Sequence, residues 1–136
     1  MRRFASFNVA SQLLESTRIQ TSNFRIHVYA KKNNTIVTLV ENDQLVCTSS
    51  GGRFFKKAMR SGFEPAYQAV VGVLDAYKKK RKVDFPKRDP VSLCLKGFGP
   101  GREAAIQALA QVKISELIDN TPIPHGGCRA KKQRRL

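Results

Sequence analysis

Phe24-Arg25-Ile26-His27-Val28-Tyr29-Ala30 places an apolar side chain at every second position, with Arg25, His27 and Tyr29 between them. A period of two belongs to the strand, because successive side chains leave opposite faces of a pleated backbone. The stretch therefore reads as a β-strand with one core face and one polar face. Lys31-Lys32-Asn33-Asn34 then makes a turn. Thr35 to Val40 and Leu45 to Ser49 read as two further strands joined across Glu41-Asn42-Asp43-Gln44, so an antiparallel meander of three strands comes first.

Gly51-Gly52 ends the meander, and Arg53 to Arg60 interleaves basic with large apolar residues without clean periodicity. A helix is expected from about Glu64 to Lys79. Pro65 suits a first helical position, and Ala66, Val70, Val73, Leu74 and Tyr77 make a stripe at helical spacing. The basic run Lys78 to Lys82 sits near its C-terminus, where cations also favour the macrodipole. Pro86 and Pro90 bracket a linker. Val91, Leu93 and Leu95 alternate with Ser92, Cys94 and Lys96 as a fourth strand. A Gly-rich turn leads to a helix with the stripe Ala105, Ile106, Leu109 and Val112, and Ile114 to Ile118 is a fifth strand. The order β-β-β-α-β-α-β implies a mixed sheet, because strand-helix-strand crossovers join parallel neighbours.

The 136 residues carry 25 Lys+Arg against 10 Asp+Glu, a formal charge of +15. One domain is the natural reading at that length, and 41% hydrophobic residues fill one modest core. The excess charge lies in connections and termini. Residues 1–34, 50–63, 78–90 and 120–136 carry +5, +4, +5 and +5, while the segments between them are neutral or acidic. Like-charged loops repel one another unless a polyanion supplies the counter-charge, so nucleic acid is the first candidate partner. The apolar stretches are too short for a spanning helix, and an anionic-membrane binder would place its charge on an amphipathic helix, so no membrane partner is expected. Cys47, Cys94 and Cys128 fit neither a disulfide framework nor a zinc finger. Residues 1–22, rich in Arg and Ser, fit an organelle presequence, an RNA-binding arm or a plain disordered extension alike.

Gly97-Phe98-Gly99-Pro100-Gly101-Arg102-Glu103 lies between a strand and a helix, where a backbone–phosphate contact and a purely structural turn are both open readings. It is neither a Walker loop nor a dinucleotide fingerprint. His125 and Cys128 are too few for a metal site, and Asn33-Asn34-Thr35 is discounted as a glycosylation acceptor. Pro122, Pro124, Gly126 and Gly127 specify an irregular extended path that ends in Arg129, Lys131, Lys132, Arg134 and Arg135. Such a track suits a segment threaded between phosphate backbones, where counterion release drives binding. The first two strands hold no acid, which argues against a two-metal nuclease.

Lys32-Asn33-Asn34-Thr35-Ile36-Val37-Thr38, Lys96-Gly97-Phe98-Gly99-Pro100-Gly101-Arg102-Glu103 and Asp119-Asn120-Thr121-Pro122-Ile123-Pro124-His125-Gly126-Gly127-Cys128-Arg129 resemble, in order and spacing, the bacterial-type universal S-eleven family of small-subunit ribosomal proteins. The resemblance covers about residues 24–136. It implies an α/β fold, a three-layer α/β/α domain with a mixed five-stranded sheet of ribonuclease-H-like topology. Residues 1–22 would be an N-terminal extension, 23–119 the domain and 120–136 an RNA-binding tail. The implied role is structural, binding ribosomal RNA on the platform near the messenger exit channel. Neighbouring platform proteins and messenger RNA would be further partners, with no cofactor, metal or catalytic residue. The implied RNA-facing residues are Lys31, Lys32, Asn33 and Asn34; Arg53, Lys56, Lys57 and Arg60; Gly97, Gly99, Gly101 and Arg102; and Thr121, His125, Arg129, Lys131, Lys132, Arg134 and Arg135. A metal-dependent nucleic-acid enzyme on the same fold is the alternative. Gly126 and Ala130 stand where the family commonly has Asn and Pro, and Phe54 to Pro65 departs from its pattern. With the Arg/Ser-rich start, these departures point to a ribosome of the mitochondrial matrix, a bacterial or plastid ribosome being the alternative.

Overall fold

The computed structural model describes residues 23–85 and 89–132. The expectations for residues 1–22, Pro86, Arg134 and Arg135 therefore fall outside the described residues. The meander forms as the alternation requires: β1 (Phe24–Lys31), β2 (Asn34–Glu41) and β3 (Gln44–Ser50) pair antiparallel in sequence order. Asn42 and Asp43, both with positive φ, are the two central residues of the second hairpin, the geometry whose twist matches the strands it joins. β4 (Val91–Lys96) runs parallel to β1, and β5 (Ile114–Asp119) parallel to β4, giving the order β3-β2-β1-β4-β5. This is the mixed five-stranded α/β sheet expected.

Two short helical turns interrupt the segment that lacked periodicity: α1 (Gly51–Phe54) and a 3-10 turn over Lys57–Ser61. The long helix α2 (Phe63–Arg81) begins one residue earlier than expected, which makes Pro65 its third residue rather than its first. Any first-turn position tolerates proline, because none of those N–H groups has an intrahelical acceptor. The helix ends on Lys82 in the left-handed conformation, its N–H donating to the Lys78 carbonyl at 2.8 Å. Much of the basic run is tied down internally. Lys78 pairs with Asp84 at 2.7 Å, Lys80 donates to the Val46 carbonyl at 2.9 Å, and Arg81 pairs with Glu41 at 2.6 Å.

α2 and α3 (Gly101–Ala108) bury Val70, Val73, Tyr77 and Ala105 against Ile26, Val28, Val37, Leu39, Leu93 and Leu95 of the sheet. Phe24, Tyr77 and Phe85 close the lower end of this core edge to face, with centroids 5.4 to 6.1 Å apart. Ile106 does not join the expected stripe and is exposed. The helix stops at Ala108 and tight turns carry Leu109 and Val112 into the core, so Ala104 and Ala105 form the packed face instead. The polar face expected of β4 is also buried at Ser92 and Cys94. The Ser92 hydroxyl donates to Glu116 at 3.0 Å, and burial raises the Cys94 thiol pKa. Among the described residues no helix is long and apolar enough to cross a membrane.

Candidate nucleic-acid interface

β1 and β4 end side by side, with Tyr29 opposite Lys96, where the chain order of the sheet reverses. In open α/β sheets the crevice beyond the carboxyl ends of the strands at such a point is the usual ligand position. Here it is a groove of about 840 Å³. Its walls are the end of β1 through the 31–34 turn, Arg60 from the 3-10 turn, Gly97 to Pro100, and Thr121-Pro122. Lys31, Lys32 and Arg60 line it together with no carboxylate among the lining residues, a field that attracts a polyanion.

The Gly-rich turn closes onto β1. Gly97 has φ +87°, and a Cβ there would strike the Ala30 carbonyl; one on Gly99 would strike that of Lys31. At Gly97 only glycine permits both the conformation and the approach, and at Gly99 the approach alone requires it. The Gly99 N–H donates to the Ala30 carbonyl at 3.0 Å and the Gly97 N–H to the Thr121 hydroxyl at 3.0 Å. These two amides therefore serve the turn itself, in line with its structural reading. Gly101, buried at the start of α3, packs against Thr35 and Ala66.

Arg102 is a clamp. Its guanidinium donates to the Gly97 carbonyl at 3.1 Å and to Asp119 at 2.8 Å, and lies 5.1 Å from the centroid of the Phe98 ring. The other Asp119 oxygen accepts the Thr121 hydroxyl at 2.6 Å and the Thr121 N–H at 2.9 Å. The Thr121 hydroxyl and Arg102 together pull the Asp119 pKa down to about 2. This network fixes the start of the tail to the Gly-rich turn across the ends of β4 and β5.

The structure thus brings together Lys31, Lys32, Asn33, Asn34, Arg60, Gly97, Gly99 and Thr121, with Gly101 and Arg102 directly behind them. Asn34 accepts the Gly52 N–H at 3.1 Å, coupling the first turn to α1. Arg53, Lys56 and Lys57 are exposed outside the groove lining. His125, Arg129, Lys131 and Lys132 lie on an extended, exposed segment leading away from it. Sequence reasoning missed Tyr29, flanked by Lys31 at 4.7 Å and Lys96 at 5.1 Å, and missed Phe98 and Asp119 as site residues. An aromatic ring among basic residues was the available signal for the first two.

The family model described as Ribosomal protein S11 matches residues 25–135. The chain is similar to the small ribosomal subunit protein uS11 of Thermus thermophilus, 39% identical over 119 residues that cover 85% of this chain and 88% of that protein. It is also similar to the proteins of the same name from Neisseria meningitidis serogroup B and Chromobacterium violaceum, at 34% and 35% identity, with 97% of this chain and 99% of each relative covered.

Proposed function

Since the chain belongs to the ribosomal protein S11 family, we propose that its groove and tail are the surface by which it holds small-subunit ribosomal RNA. The protein is a structural constituent of the small ribosomal subunit and not an enzyme. The observation that carries the RNA-binding surface is the cationic, carboxylate-free groove at the ends of β1 and β4, continuous through Thr121-Pro122 with an exposed basic tail. Phosphates occupy the groove, and residues 120–136 follow the RNA surface beyond it. Asp119, next to the groove-lining Thr121, is committed to Arg102 and Thr121.

We further assign the chain to the platform beside the messenger exit channel, with platform proteins and messenger RNA as neighbours, and to the ribosome of the mitochondrial matrix. The Arg/Ser-rich first 22 residues and the replacements at Gly126 and Ala130 favour that compartment. The bacterial origin of the relatives favours a bacterial ribosome as the second reading.

Binding of the full chain to a small-subunit RNA transcript, measured across a salt series, tests the surface. Replacing Lys31, Lys32 and Arg60 together by Gln is expected to weaken binding and to flatten the plot of log affinity against log salt by about 0.7–0.9 for each phosphate no longer neutralised. An unchanged slope would put the RNA elsewhere on the molecule.

A further inference from the structure

Phe98 lies between two glycines that are pressed onto the main chain of Ala30 and Lys31. With both flanks held, the side chain between them is directed outward, and Phe98 is 79% exposed at the groove. Water gives a phenylalanine no reason to stand there. One face of the ring is backed by the Arg102 guanidinium, which the Gly97 carbonyl and Asp119 hold in place. The rest of the ring is open to solvent, and Phe98 lines the same groove as Lys31, Lys32 and Arg60. A fixed, half-open aromatic face next to Lys31, Lys32 and Arg60 matches the two chemistries of a single nucleotide, a flat π-surface and a phosphate on the same unit. An apolar side chain of a protein neighbour would use the ring but not the cations.

We infer that Phe98 is a stacking platform for an unpaired base of the bound RNA, with Arg102 as the positioning residue behind it. The inference rests on the RNA-binding reading of the groove. Aromatic stacking of single-stranded bases tolerates any base, so the site selects an unpaired nucleotide rather than a sequence.

The test compares the full chain with Phe98→Leu, which keeps an apolar side chain but removes the π-face, and Phe98→Tyr, which keeps the ring. Each is titrated with a small-subunit RNA transcript across a KCl series. Phe98→Leu is expected to bind roughly 5- to 150-fold more weakly, the range of alanine substitution at stacking positions, and Phe98→Tyr to retain the affinity. The salt slope of the leucine variant stays unchanged, because every phosphate keeps its cation. Both variants keep the urea midpoint of the unaltered chain, since the ring is outside the core. Equal RNA affinity of Phe98→Leu and the unaltered chain would overturn the inference and leave the ring to a protein neighbour. A weaker leucine variant with a flatter slope would also overturn it, as a displaced phosphate site. Failure of the unaltered chain to bind the RNA would overturn the parent reading and this one with it.

Discussion

Asp119 shows how a basic surface depends on one acid. Its two oxygens join Arg102 on one side to Thr121 on the other, and through them the Gly-rich turn to the first residues of the tail. The folded pKa of about 2 lies below the ordinary value of 3.8, so the folded state prefers the ionised carboxylate. The stability it contributes is complete above that ordinary value and is lost as pH falls from 3.8 towards 2. Asp119→Asn removes the charge facing Arg102. The urea midpoint of the unaltered chain is therefore expected to exceed that of Asp119→Asn at neutral pH, and the gap to close across the same acid range. A gap independent of pH would mean that the carboxylate's charge is not what fastens the turn.

Among the elements, the turn between β4 and α3 carries the sharpest backbone requirement. Gly97→Ala must accept a positive φ and a collision with the Ala30 carbonyl, and it is expected to cost more than about 1 kcal/mol. Gly127→Ala, in the open tail with nothing within 4 Å, is expected to change stability by less than about 0.5 kcal/mol. Urea denaturation of the two variants checks the contrast, and equal costs would contradict it. The same contrast shows where the sequence was legible. Alternation at Phe24 to Ala30 and the stripe from Ala66 to Tyr77 reveal β1 and α2, because periodicity reports a continuous packed face. α1 and the 3-10 turn, at four and five residues, are too short to show a period. Phe85 enters the core from a connecting segment, and Ser92 is buried with its hydroxyl on Glu116 of the adjacent strand. Neither fact is written in local pattern. The candidate site was legible as three motifs, through their resemblance to a family. The bonds that assemble it are not, since Arg102 and Asp119 stand 17 residues apart and meet only after β5 pairs with β4.

Over the whole molecule, a core packed between the helices and one sheet face supports loops and a tail that hold most of the +15 charge. Like charges in those segments oppose one another in the free protein and are matched when phosphates lie among them. On the proposed reading, the charge that burdens the isolated chain is what binds it into a ribonucleoprotein. The first residues of the tail, Thr121 and Pro122, line the groove, and the Asp119 network ties Thr121 to the end of the sheet. The most direct test is sedimentation of a lysate from the source cells or their organelles through a sucrose gradient, following this protein in every fraction with and without magnesium chelation. Co-migration with the small ribosomal subunit is expected, retained when chelation separates the two subunits. Migration as a free protein of 15.2 kDa in both conditions would contradict it.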